Sequence, residues 1–241
     1  MPPHAQLRFD LVRRILMEVQ AEGSFLEVGC GQGGFATILA EHFDYVGYEP
    51  DPQSYETVQR RLEALGSGRV VNGLLPDTPD RAYDVIGAFE VLEHLEDDRG
   101  AMKAWTAWLR PNGYAVVSVP AHPERFGPWD EKVGHFRRYT RAGITQVLAE
   151  AGIVDVRTMA YGFPLGYASE FVRDRIAAKE SPEASDSDME GRTAASGRSL
   201  QPGRVLAPVV WTGTLPFRLL QRPFITGDLG TGWVAFGRRP A

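Results

Sequence analysis

Phe25-Leu26-Glu27-Val28-Gly29-Cys30-Gly31-Gln32-Gly33-Gly34-Phe35 is the stretch on which the fold turns: an apolar run enters glycines and then a helical segment starting near Phe35. Glycines there admit positive φ and let a ligand approach the backbone, while the helix start offers unpaired N–H groups. A nucleotide-like cofactor suits such an edge. The next β-rich run, Tyr45-Val46-Gly47-Tyr48-Glu49, puts Glu49 at the carboxyl end of a second strand, where an acid can accept both hydroxyls of a ribose. Its separation from the glycines is the ~20 residues of a nucleotide-binding βαβ unit. Gly29-x-Gly31-x-x-Gly34 also satisfies the dinucleotide fingerprint, so the glycines alone leave a nicotinamide cofactor and S-adenosylmethionine both open. Glu27 helps to choose. A carboxylate inside an apolar strand end needs a donor or a cation; a sulfonium cofactor with an α-amino group supplies the cation, whereas a pyrophosphate would be repelled.

Outward from this stretch, Ser24–Val28, Tyr45–Glu49, Arg69–Asn72, Tyr83–Ala88 and Tyr114–Val119 read as strands, with helical segments near 34–42, 53–65 and 97–109. Alternation of this kind predicts an α/β fold with a mostly parallel sheet covered on both faces. Before it, residues 6–20 carry Leu7, Leu11 and Ile15 on one stripe and form an amphipathic helix within 1–23. After it, the long connection from Pro120 to Tyr139 is rich in Pro, Gly, His and aromatics; a helix at 140–151 and a strand at 153–159 follow. Residues 24–160 are thus one cofactor-binding core. Residues 161–230 form a helical insertion or cap, with a helix at 163–178 and a polar, Ser/Gly/Pro-rich linker at 179–204, and 231–238 close the sheet. The chain is one domain, 1–241, without internal repeats.

Composition narrows the partners. The 241 residues are 43% hydrophobic and 24% charged, as in a folded globular protein. With 26 Lys plus Arg against 31 Asp plus Glu, the net charge is −5, a poor start for gripping nucleic acid. Cys30, the single cysteine, can form no internal disulfide, and the N-terminus lacks a signal-peptide pattern, so the cytoplasm is the expected address. No run reaches the ~18 apolar residues of a membrane-spanning helix.

The sequence resembles class I S-adenosylmethionine-dependent methyltransferases, in the small-molecule branch typified by ubiquinone-type O-methyltransferases. The resemblance rests on LEVGCGQGGFA (26–36), YVGYEPD (45–51), YDVIGAFEVLEHLEDD (83–98), LRPNGYAVVSVP (109–120) and GHFRRYTRAGITQVLAEAGI (134–153), in order and at family spacing over roughly 26–160. It implies a Rossmann-like seven-stranded sheet whose last strand inserts antiparallel. It also implies that Glu27, Gly29, Cys30, Gly31 and Gly33 flank the methionine part, that Glu49 and Pro50 meet the ribose, and that backbone near Phe89 and Glu90 closes over the cofactor. Family members often carry an acid after the third strand to meet the adenine; here Leu74 stands there, leaving Asn72, backbone and apolar packing, with Asp77 late.

The 120–139 connection leaves the mouth of the sheet, where acceptor chemistry is added to cofactor binding. Methyl transfer needs an aligned nucleophile and, for a hydroxyl or ammonium, a base. His135 is the first candidate and His122 the second. Trp129, Arg137, Arg138 and Tyr139 are candidates to bind the acceptor, although an arginine paired with Asp130 or Glu131 would instead fix the loop. Glu90, Glu93 and His94 offer one histidine and two acids, too few to predict a metal, and no metal is expected. The expected activity is methyl transfer to oxygen or nitrogen of a small, partly apolar acceptor, with a homo-oligomer left open. Alternatives are a protein or nucleic-acid methyltransferase, a nicotinamide-dependent reductase, and a cofactor-binding protein without catalysis.

Overall fold

The computed structural model describes residues 1–178 and 212–241. Along the chain run α1 (Pro3–Glu18), β1 (Ser24–Val28), α2 (Ala36–Leu39), β2 (Asp44–Glu49), α3 (Pro52–Leu65), β3 (Arg69–Asn72), β4 (Tyr83–Phe89) and α4 (Asp98–Thr106). Then follow β5 (Leu109–Pro120), α5 (Pro128–Val133), α6 (Arg141–Glu150), β6 (Val154–Tyr161), α7 (Leu165–Ala177), α8 (Leu215–Leu220) and β7 (Gly232–Arg238). The strands form one seven-stranded sheet in the order β3-β2-β1-β4-β5-β7-β6. All neighbours are parallel except β7, which runs antiparallel to both β5 and β6.

Both faces are covered, which is why the central strands are mostly apolar: β1 is buried at every position, Glu27 included. Leu26, Val28, Ile86 and Val117 pack with Met102 and Trp105 of α4 and with Ile144 and Leu148 of α6. Phe25, Tyr45, Val85 and Val116 pack with Leu11 and Ile15 of α1, Leu39 of α2 and Val58 of α3. Local chemistry sets the helix ends. Asp51 caps α3 by accepting from Ser54 N at 3.0 Å, Pro52 follows it, and Gly66 ends the helix in the left-handed region.

The structure departs from the sequence reading in three places. Strand five is twice as long as expected, starting at Leu109, because Tyr83 pairs with Leu109 before a register shift brings Val85 against Tyr114. The helix expected at 34–42 shrinks to α2. The 120–139 connection holds a short helix, α5, started by Pro128 and by the Asp130 carboxylate accepting from Gly127 N at 3.0 Å, and ended by Gly134 at φ +77°. The linker expected at 179–204 lies outside the described residues, as do 205–211.

Candidate functional site

Because β1 is flanked by β2 on one side and β4 on the other, the connections leaving its carboxyl end diverge and open a crevice there. The glycine loop lines it. Gly29 and Gly33 adopt φ of +68° and +77°, and a Cβ would lie 2.8 Å from Val91 Cγ2 at the first and 2.5 Å from Val58 Cγ2 at the second. At Gly31, with φ +53°, a Cβ would meet nothing within 4 Å. The backbone is thus tightly packed on either side of a glycine that faces open space, the arrangement a close-approaching ligand requires.

Glu49, 7% exposed at the end of β2, accepts from Gly31 N at 2.6 Å and from Asp51 N at 2.9 Å. Burial raises its carboxyl above the usual range, and these two N–H groups pull the other way. Asn72 Nδ2 donates to Glu49 O at 3.0 Å, bracing the same corner, and Leu74 stands 77% exposed beyond β3. Cys30 is buried, its thiol pushed up by burial and by the Glu27 and Glu49 carboxylates.

Glu27 corrects one step of the sequence argument. Its partner is the hydroxyl of Tyr45, which donates to Oε2 at 2.6 Å, and burial raises the Glu27 carboxyl to about 8 against the opposing effect of that hydrogen bond. The group is satisfied by a protein donor and held neutral at pH 7, so its charge does not by itself discriminate against a pyrophosphate.

Past Phe89, Glu90 turns into the left-handed region at φ +61°. Its Oε1 accepts from Tyr161 at 2.9 Å and Ser118 at 3.1 Å and pairs with Arg8 of α1 at 3.1 Å. Burial alone would raise the Glu90 carboxyl; the charge of Arg8, with His4 and the Tyr161 hydroxyl, outweighs it and keeps it well below the usual range. Arg8 and Tyr161 escaped the sequence reading. Arg8 looked like a solvated residue of an amphipathic helix, and nothing local tells an arginine that it will face a strand end eighty residues away.

On the acceptor side His135 is nearly enclosed, its side chain 9% exposed, with Nδ1 2.7 Å from Asp130 Oδ1 and Nε2 3.9 Å from Glu93 Oε1. Burial would raise the Asp130 carboxyl, but hydrogen bonds from His135 and Arg138 hold it at about 2. An ionised Asp130 accepts, so His135 Nδ1 is the donor in this contact and Nε2 is the nitrogen turned toward Glu93. Glu93 is fully buried with neither oxygen hydrogen-bonded; burial and the Glu90 charge push it up, so it is neutral. His94 meets the His135 ring edge-on at 4.6 Å, its imidazole lowered to about 4 by burial and by His135. One ligand-type atom each from Glu93, His94 and His135 lies within 4.8 Å of the others, a spacing that admits a cation once Glu93 gives up its proton.

The other candidates are corrected. Arg138, 7% exposed, spends its donors on Asp130 and Glu170, and Arg137 pairs with Asp98 at 2.8 Å and donates to Glu96 O at 2.7 Å. Tyr139 is core, its hydroxyl donating to Asp98 at 2.7 Å. These three hold the loop rather than present free donors to an acceptor. His122 sits at φ +66° with Nε2 3.1 Å from Asp228 O and Nδ1 3.3 Å from Glu124 Oε1. Trp129 remains half-buried between Lys132 and Arg173, whose charges lie 5.7 and 5.3 Å from its ring centre.

A family model described as a methyltransferase domain matches residues 4–158. Ubiquinone biosynthesis O-methyltransferase of Idiomarina loihiensis is 34% identical over 123 residues, 46% of this chain and 50% of that protein. Phosphoethanolamine N-methyltransferase of Triticum aestivum is 29% identical over 154 residues, 58% of this chain and 30% of that protein. The chain thus matches half or less of the length of these relatives. Among solved structures, phosphoethanolamine N-methyltransferase 2 of Haemonchus contortus in complex with S-adenosyl-L-methionine superposes with a TM-score of 0.56 at 13% identity, over 97% of this chain and 53% of that one. A SAM-dependent methyltransferase from Archaeoglobus fulgidus gives 0.56 at 14% identity, over 97% and 94%. At such identities the likeness is one of fold; the matched family model, spanning well over half the chain, carries the assignment. With its glycine crevice, its β7 insertion and this match, the chain belongs to the methyltransferase domain family, among the class I S-adenosylmethionine-dependent methyltransferases.

Proposed function

We propose that this chain methylates an oxygen or nitrogen of a small, partly apolar organic acceptor, with His135 as general base. The observation that supports this most directly is the 2.7 Å contact between His135 Nδ1 and an ionised Asp130, which orients the imidazole and leaves Nε2 as the nitrogen to take a proton. The open backbone at Gly31 and the Glu49 carboxylate suit the cofactor's sugar and amino-acid parts, and when bound S-adenosylmethionine supplies a methyl carbon made electrophilic by the sulfonium. Asp130 orients the imidazole, and His135 takes the proton from an attacking hydroxyl or ammonium. Arg8 keeps Glu90 ionised beside that space.

The relatives named for ubiquinone O-methylation and phosphoethanolamine N-methylation support an acceptor of this size, and the net charge of −5 favours it over nucleic acid. Among the described residues no helix is long and apolar enough to cross a membrane, and the lone, buried Cys30 suits a reducing cytoplasm. The test begins with calorimetric titration of S-adenosylmethionine and S-adenosylhomocysteine into the wild type and Glu49→Ala. Saturable binding weakened by the substitution is expected. Labelled methyl transfer to a panel of hydroxyl and amine acceptors follows, with and without EDTA. His135→Ala should bind the cofactor as before and lose about 10²–10⁴ in turnover; unchanged turnover removes His135 as the base.

A further inference from the structure

We propose that Glu170, on α7 of the cap, is a positioning residue for His135, acting through Arg138 and Asp130 to set which imidazole nitrogen carries the proton. This rests on the reading of His135 as the base. The chain of contacts is continuous. Asp130 Oδ1 faces His135 Nδ1 at 2.7 Å. The same carboxylate takes Arg138 Nε on both oxygens at 2.9 Å and Nη2 on Oδ2 at 2.6 Å. Arg138 Nη1 then donates to Glu170, and the other oxygen of Glu170 accepts from Arg125. Asp130, Arg138 and Glu170 are 1%, 7% and 4% exposed, so no water stands in for a lost partner.

The guanidinium is a planar fork whose orientation is fixed by what each end meets. With carboxylates at both ends, Arg138 is locked and its charge is shared. If Glu170 is neutralised, the whole charge falls on Asp130, whose lone pairs then favour Arg138 over the imidazole N–H. The Nδ1–H form of His135 loses its advantage and the Nε2–H form, which cannot accept a proton from an acceptor, grows. A carboxylate thirty-five positions beyond His135 in the sequence thereby reaches the proposed base without touching it.

Glu170 also ties α7 to the 120–139 loop, since Arg125 lies 4.2 Å over the ring of Tyr167 on the same helix, so a loss of thermal stability alone would be uninformative. The experiment is nitrogen NMR of the full chain carrying labelled histidine, with no acceptor present. In the wild type, His135 should show one tautomer, with a bare Nε2 and an exchange-protected Nδ1–H. Glu170→Gln should mix the tautomers and speed exchange of that proton about tenfold, the loss of roughly one hydrogen bond. Glu170→Asp, which keeps the charge, should restore most of the signature. Arg138→Lys, which keeps the charge and loses the fork, should mix the tautomers as Glu170→Gln does and serves if the latter fails to fold. A lowered melting temperature with the His135 signature unchanged in the folded variants makes Glu170 purely structural and overturns the proposal. Failure of the base assignment shows separately, as methyl transfer retained by His135→Ala.

Discussion

The glycine loop and the 120–139 loop leave the carboxyl ends of β1 and β5 in the same sheet, yet they are held by different forces. The first is fixed by backbone: Gly29 N and Cys30 N donate to Tyr48 O at 2.9 and 3.1 Å, Gly33 N to Cys30 O at 3.0 Å, and Glu49 clamps Gly31 N. The second is fixed by side-chain charge, through Asp130, Arg138, Glu170 and Arg125. Backbone turns demand glycine at given spacings, so the cofactor side declares itself locally. Ionic networks demand only complementary charges somewhere in the chain, and the acceptor side stays silent until the chain is folded.

The contrast can be broken most forcefully at Gly31. Gly31→Arg fills the one open position of the loop and should abolish S-adenosylmethionine binding in calorimetry while the His135 signature on the acceptor side is kept; wild-type affinity would mean that the ligand does not approach that backbone. Glu27 tests the cofactor side by pH. Its carboxyl is raised to about 8 by burial, so between its unfolded value of 4.5 and about 8 the folded chain holds a proton that the unfolded chain releases. Stability therefore falls as pH rises through that window. Glu27→Gln should remove that slope and gain on the order of a few kcal/mol on the wild type at the alkaline end, read from denaturant midpoints across the window; parallel pH profiles would refute the assignment. The smallest effect sharpens the acceptor side. Arg137→Ala, losing a pair whose arginine is 32% exposed while the buried Asp98 keeps the Tyr139 hydroxyl, should cost about 1–2 kcal/mol, whereas Arg138→Ala, stranding Asp130 and Glu170, should cost about 3–5 kcal/mol. Equal losses would erase the distinction between the neighbouring arginines.

Strand and helix alternation, the glycine turn, Glu49 at the end of β2 and a closing strand near 231–238 were all legible in the sequence, because each follows from a period or from a local backbone constraint, whereas the antiparallel direction of that strand came only from the family resemblance. Asp130 beside His135 was half legible: the sequence placed both in one loop and offered Asp130 or Glu131 as an arginine's partner. Which arginine it holds depends on the turn that α5 makes, and the sequence left Arg137 and Arg138 equivalent. Glu27 taught the reverse lesson, since the strand pattern showed that it must be buried but not that Tyr45, on the neighbouring strand and paired with Phe25, would satisfy it.

The residue pattern by itself determined the alternation of strands and helices, the glycine turn and the place of Glu49, through interactions spanning about one βαβ unit. The tertiary structure alone decided that Arg8 meets Glu90, that Glu93 is buried neutral, and that Glu170 closes the network behind His135. Those contacts join residues 32 to 82 positions apart, and electrostatic partnership at such range is set by which elements the sheet brings together, information that no local stretch of sequence carries.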